Sequence, residues 1–358
     1  MASDRKMHRE SDCELDGESD RKLDQVLDRV PEPGVPTLVV QNLVTEFHSR
    51  AGVATPVNNV SFSVMPGQIM GLVGESGSGK SMTGYSIMGL IDSPGRIASG
   101  KVLLKGADLR SSTLAQLRAM RGNRIAMIFQ DSTMSLNPVL RIDTQIMEAV
   151  QAHHQVDRST AKAMARAALV QVGISMPDER MLAYPHQFSG GMRQRVAIAI
   201  ALINKPDLII CDEPTTALDV TIQGQILFEM QKLCRESGTA LIWITHDLSV
   251  VAGLADTVCV MYAGEIVESG TVHQVLTQPR HPYTHGLIAT APSRNVRGAF
   301  LRQIDGAVPS LLALPAGCAF RNRCQRADAI CSTPPELVEV DGHAFRCFHP
   351  MPVDGVAA

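Results

Sequence analysis

The chain has 358 residues, 45% of them hydrophobic and 19% charged, room for one large globular domain plus an appendage. Its formal charge of −3 offers no basic field for nucleic acid. The longest apolar run, Val196 to Ile203, has eight residues, too short for a bilayer. The charged N-terminus has no signal-peptide core, so the expectation is a chain that stays in the cytosol and meets membranes only through partners.

Residues 1–36 are polar, with one short stripe at Leu23, Val26, Leu27 and Val30, and Pro31, Pro33 and Pro36 close them off. They read as a disordered acidic extension. Strands are expected at Leu38–Val40, Val60–Val64 and Ile69–Val73, the last running into a glycine-rich loop. A helix follows from Lys80 to Leu90, then strands at Gly100–Gly106 and Arg124–Phe129. From Asp131 to about Tyr184 the pattern turns helical, with Ser159–Val172 a helix capped by Ser159. A further helix runs from Gly191 to about Ile203. Leu208–Cys211 and Ala240–Thr245 are uncharged and fit central strands of a parallel sheet covered on both faces. Near Pro279 the pattern breaks, and a tail rich in Pro and Cys reads as a small cross-linked module. Strand–helix alternation gives an α/β class with a helical insertion.

Gly74-Glu-Ser76-Gly77-Ser78-Gly79-Lys80-Ser81 matches the P-loop pattern in full, between a buried strand and a helix. Its backbone N–H groups would surround phosphate oxygens, with Met82, in the helix behind them, also at the nucleotide. Lys80 would reach the β- and γ-phosphates, and the Ser81 hydroxyl would ligate Mg²⁺. Leu208-Ile-Ile-Cys-Asp212-Glu213 delivers Asp212 to the end of a buried strand as a Mg²⁺ ligand and Glu213 as a base for water. His246 and Gln130 end two other apolar strands; the imidazole could hydrogen-bond the γ-phosphate or the water, and the amide could sense Mg²⁺ and the water. Ser189-Gly190-Gly191 precedes a helix and suits an anion, although alone it reads equally as a capping turn. So far from the P-loop in sequence, it is expected to complete the site of a second copy of this fold.

These residues together resemble the nucleotide-binding subunits of ABC transporters over about residues 38–290. The resemblance makes Gly74–Ser81 the Walker A, Gln130 the Q-loop, Leu208–Asp212 the Walker B and Glu213 the catalytic glutamate. Ala217-Leu218-Asp219 would be the D-loop, His246 the switch histidine, and Phe188-Ser189-Gly190-Gly191-Met192 the signature, with Phe and Met where Leu and Gln are common. Phe47, 27 residues before Gly74, stands where the family stacks an aromatic on adenine, and reads otherwise as a core residue. Phe129-Gln-Asp131, Ser135-Leu-Asn137-Pro138, the segment Tyr184–Arg195 and Arg280-His281-Pro282-Tyr283-Thr284 are similar to the oligopeptide, dipeptide and nickel importer branch; Ser132 stands where that branch has proline.

The resemblance implies a P-loop ATPase core with an antiparallel β subdomain and a helical subdomain at 37–290. An importer-type C-terminal extension would follow at 291–358. It also implies a homologous ATPase partner, two transmembrane permeases, a periplasmic or lipid-anchored binding protein, and a place on the cytoplasmic face of the bacterial inner membrane. Di- and oligopeptides are the first expected cargo; nickel, glutathione, antimicrobial peptides or oligosaccharides are alternatives. A soluble ABC ATPase of translation or repair would carry a second cassette or a long coiled coil, which this chain lacks. A non-catalytic subunit would lack Lys80, Glu213 or His246, and all three stand here.

Cys318-x5-Cys324-x6-Cys331-x15-Cys347 places four thiols in about thirty residues. Free cysteines, Zn²⁺ and a [4Fe–4S] cluster all fit four such thiols, although the short Cys-x2-4-Cys knuckle usual for zinc is missing. His343 and His349 lie close enough in sequence to substitute for one of them. The resemblance, rather than the spacing, favours the iron–sulfur cluster. Cys211, Cys234 and Cys259 are expected as buried thiols, and Cys13 as a residue without a role.

Overall fold

In the computed structural model, residues 34–131, 135–215, 219–291, 295, 298, 300 and 302–352 are described. The expected extension at 1–36 therefore lies almost wholly outside them, as do Ser132, Ala217 and Leu218.

The strands are β1 (Leu38–Ser49), β2 (Gly52–Val64), β3 (Ile69–Val73), β4 (Gly95–Leu104), β5 (Ala107–Asp108), β6 (Ile125–Ile128), β7 (Leu208–Asp212), β8 (Ala240–Thr245), β9 (Thr257–Tyr262), β10 (Glu265–Thr271), β11 (Val338–Val340) and β12 (His343–Phe345). The α-helices are α1 (Lys80–Met88), α2 (Leu114–Met120), α3 (Ile142–Gln151), α4 (Arg158–Gln171), α5 (Pro177–Met181), α6 (Gly190–Leu202), α7 (Val220–Ser237), α8 (Leu248–Leu254), α9 (Val272–Thr277) and α10 (Pro282–Ala289).

Two sheets result. One is antiparallel in the order β2-β1-β4-β5; the other runs β11-β12-β10-β9-β3-β8-β7-β6, with parallel pairing from β9 to β6. Every residue of β3, β7 and β8 is buried, as uncharged central strands must be. Their C-terminal ends all open on the same edge of the sheet, where open α/β folds bind ligands.

The first hairpin is far longer than the apolar runs Leu38–Val40 and Val60–Val64 suggest. Its partners run from Leu38↔Val64 to Ser49↔Gly52, and register shifts after Val40, Leu43 and Thr45 break the two-residue alternation that would have marked it. The helical insertion forms as expected. The small Ala161, Ala165 and Ala168 are buried on one face of α4, which packs against α3 and α6. The cap of α4 is Asp157, not Ser159: its carboxylate accepts the Thr160 N–H at 2.9 Å, so the helix begins one residue before the expected Ser159.

Past the expected break at Pro279 the chain forms α10 and then returns to the sheet. β12 pairs with β10 through Glu268↔Phe345 and Ser269↔Ala344, and β11 pairs with β12. The turn between them is Asp341-Gly342, both at positive φ (53° and 74°), the geometry that suits a two-residue hairpin. The cysteine-bearing tail is thus sewn onto the main sheet.

Candidate functional site: a phosphate loop and its acidic partners

β3 leads straight into the loop 74–79 and α1. Gly79 sits at φ 105°, and a Cβ there would lie 1.9 Å from the Pro56 carbonyl oxygen, so the loop closes only over glycine. Lys80 is buried and curls back, its Nζ donating to the carbonyls of Gly74 and Glu75, each at 2.9 Å. Burial pulls its pKa down, against the nearby carboxylates of Glu213, Asp212 and Glu75.

β7 sets Asp212 beside this lysine. Ser81 Oγ donates to Asp212 Oδ1 at 2.8 Å, and Tyr85 lies near the same carboxylate. Burial raises the pKa of Asp212 and, first among its causes, that of Tyr85. Hydroxyl and carboxylate side by side at the start of α1 are the hard oxygen donors that suit Mg²⁺.

Glu213 follows in a left-handed turn, φ 45°, with its N–H on the Ile244 carbonyl at 3.0 Å. That turn aims its carboxylate between two other strand ends. Gln130 Nε2 donates to Glu213 Oε2 at 3.3 Å, and His246 Nδ1 lies 3.1 Å from Glu213 Oε1. The three residues come from the ends of β6, β7 and β8, and a water between them and the loop would be held and polarised.

Ser189 caps α6, its Oγ accepting the Met192 N–H at 3.3 Å, and the residue is exposed. Beside Gly190 an added Cβ would meet nothing within 4 Å, so the start of this helix is open. No hydrogen bond among the described residues joins Ser189–Gly191 to Gly74–Ser81. Asp219 caps α7, accepting the Ile222 N–H at 2.9 Å. Phe47 is half-buried in β1, opposite Ala54 and Gly95, with its ring against the Gly95 Cα.

Cys318, Cys324, Cys331 and Cys347 line one pocket with His281 and His349. The N–H groups of Arg326 and His349 point at Cys324 Sγ (3.4 Å) and Cys347 Sγ (3.3 Å). Burial pushes the thiols of Cys318 and Cys324 up and that of Cys347 to about 11. Four cysteines around one pocket, two of them with N–H donors at their sulfurs, are a donor set of the kind that takes a thiolate-bound metal. Asp328, Cys331 and His349 also approach within 4.8 Å of one another, a mixed donor set sharing one cysteine. His343 is engaged elsewhere, its Nε2 on the buried Glu268 at 2.7 Å.

Sequence reasoning did not find Tyr85, Tyr283 or Arg323 around the loop. Only Tyr283 stood in a quoted segment, and nothing local marks an arginine near residue 320 as a neighbour of residue 75.

A P-loop on a central parallel strand, an acidic pair on β7, a glutamine and a histidine on the flanking strand ends, an antiparallel sheet and a helical insertion define an ATP-binding cassette. The ABC transporter family profile matches residues 57–216, and that of the oligopeptide/dipeptide transporter C-terminal region matches 267–331. The chain is 45% identical to the dipeptide transport ATP-binding protein DppD of Bacillus subtilis, over 87% of this chain and 94% of that one. It is 47% identical to the oligopeptide transport ATP-binding protein OppD of Haemophilus influenzae, over 84% and 93%. The dimeric post-hydrolysis structure of the cassette MJ0796 with ADP and phosphate shares the fold at a TM-score of 0.60, 24% identity, 66% of this chain and 98% of that one. The chain belongs to the ABC transporter ATP-binding family that includes these dipeptide and oligopeptide transport proteins. It is an ABC-type ATPase.

Proposed function

We propose that this chain powers import of di- or oligopeptides by hydrolysing ATP against a homologous ATPase subunit, at the cytoplasmic face of the inner membrane. The observation that carries the reading is the joint of Gln130, Glu213 and His246 beside the P-loop. ATP lies along Gly74, Ser76, Gly77, Ser78, Gly79, Lys80, Ser81 and Met82. Phe47 stacks on its adenine; β1 carries it opposite Ala54, two residues from Pro56, whose carbonyl touches Gly79. Ser81, Gln130 and Asp212 hold Mg²⁺, which supplies charge neutralisation on the phosphates. Glu213 takes the proton of the attacking water, and His246 orients Glu213. Ser189, Gly190 and Gly191 serve the partner's nucleotide, and Asp219 lies on the shared face.

The peptide cargo is supported by the names of the relatives and by the match to the oligopeptide/dipeptide transporter C-terminal region. No helix among the described residues is long and apolar enough to cross a membrane, and this reading assigns the crossing to two partner permeases. A groove of about 400 Å³ beside Gln130, lined by Leu90, Phe129, Leu136, Ala149 and Ile200, offers an apolar seat for a permease segment. Glu213→Gln should bind ATP yet turn over roughly a hundredfold more slowly or worse. A near-normal phosphate-release rate in that variant would remove Glu213 from the base role.

We also assign the four cysteines to a [4Fe–4S] cluster, with Zn²⁺ as the alternative. Protein purified without oxygen should contain about four irons per chain and absorb broadly near 400 nm. Zinc in place of iron under those conditions rejects the cluster.

A further inference from the structure

Glu75, the second residue of the phosphate loop, is held at its N–H, its carbonyl and its carboxylate. Its N–H donates to the Tyr283 hydroxyl at 2.8 Å, its carbonyl accepts Lys80 Nζ at 2.9 Å, and its carboxylate takes both arms of Arg323 at 2.7 and 3.1 Å. Arg323 lies 248 residues away, one residue before Cys324. Its side chain is only 5% exposed, so this is no loosely solvated surface pair. Its donors are all taken: the two Glu75 oxygens, the Tyr262 hydroxyl, and the carbonyls of Ile304 and Asp305. The guanidinium also lies 5.9 Å from the Tyr262 ring centre and 5.8 Å from that of Phe320. Phe320 packs edge-on to Tyr262 and against Tyr283. Segment 304–323, the end of β9 and the first turn of α10 thus converge on one residue of the loop.

Two physical consequences follow. A free carboxylate next to the triphosphate site would repel the ligand, and a fork of two charge-assisted bonds neutralises it. Lys80 must also leave the Glu75 carbonyl to reach phosphate. Tyr283 and Arg323 are then what keeps the loop's first turn in place. We infer that Arg323 is a positioning residue of the phosphate loop, through which the C-terminal cysteine-bearing segment sets the affinity for ATP. The inference rests on the ATP-site reading above.

The test uses the full-length chain with magnesium and a fluorescent ATP analogue, in the wild type, Arg323→Ala, Glu75→Gln and the double variant. Arg323→Ala should weaken binding by roughly tenfold; Glu75→Gln loses the tether without leaving a repelling carboxylate and should weaken it by about threefold, and the double should be no weaker than Arg323→Ala. Amide exchange over 74–79 should quicken in Arg323→Ala. Binding within about twofold of wild type, or losses that multiply in the double variant, overturns the inference. A wild type that never binds the analogue sinks the ATP-site reading itself, a separate failure. Should Arg323→Ala fail to fold, Glu75→Gln severs the same pair from the loop side. Slackened binding and faster loop exchange there support the tether; neither one changing overturns it.

Discussion

At Gly79 and Gly77 the loop makes two different demands on glycine. Both have positive φ, 105° and 79°, but a Cβ on Gly79 would strike the Pro56 carbonyl oxygen at 1.9 Å, while one on Gly77 meets nothing within 4 Å. Gly77→Ala should therefore cost about 1 kcal/mol of backbone strain and leave a folded protein. Gly79→Ala must displace β2 and should cost several times that, about 3 kcal/mol or more. Urea unfolding of the two variants checks the ranking, and equal midpoints would show that the contact yields. The glycines themselves are plain in the sequence. Which of them is crowded is not, because Pro56 approaches from the other sheet. The same holds for Glu213: its place after the strand is legible, but the left-handed turn that aims it at Gln130 and His246 is a product of the β8 contact at Ile244.

Among the elements, β10, α10 and β12 meet on one buried carboxylate. Glu268 Oε1 accepts the Arg280 N–H at 2.6 Å and faces His343 at 2.7 Å, and Glu268 Oε2 accepts the His281 N–H at 2.9 Å. His281 in turn caps α10, its Nδ1 accepting the Tyr283 N–H at 3.0 Å, so the ring is neutral at that nitrogen. Burial pushes its pKa from 6.5 down to about 4. The unfolded chain therefore binds this proton first as pH falls. Stability is fully present above about 6.5 and is lost toward pH 4, by roughly 1.4 kcal/mol per pH unit. His281→Asn keeps a capping oxygen and should flatten that slope by one proton between pH 6.5 and 4. Denaturant titrations at several pH values measure it; an unchanged slope would mean that the ring is solvated. Nothing in the pattern near Pro279 announces this junction, since α10 is a short helix and β11 and β12 are three-residue strands.

For the whole molecule, the proposed function makes the open start of α6 a half-site. Ser189 is exposed with its hydroxyl already capping the helix, and the ligand proposed for it is an anion from outside the chain. Glu213→Gln with ATP should form a nucleotide-dependent dimer, with a second copy or with the homologous subunit. Ser189→Glu should keep α6, since a carboxylate is tolerated at a helix N-terminus, and yet abolish that dimer and lower ATPase activity by at least tenfold. Size-exclusion chromatography with light scattering reads the first effect. A dimer that survives Ser189→Glu would place the signature away from the nucleotide.

The contiguous chemistry was decided by sequence alone: the P-loop with its strand and helix, the Asp212-Glu213 pair, the serine–glycine helix start and the four thiols. The first two are runs of a few residues whose local backbone and side chains already suit phosphate and Mg²⁺; the serine–glycine start also reads as a capping turn, and the thiols leave free cysteines, Zn²⁺ and an iron–sulfur cluster open. Tertiary structure decided what joins them. Gln130 meets Glu213 across 83 residues, His246 meets it across 33, and Arg323 meets Glu75 across 248. Such pairs exist only once parallel strands bring their ends to one edge and the tail folds back along β10. No periodicity along the chain encodes a contact made by packing.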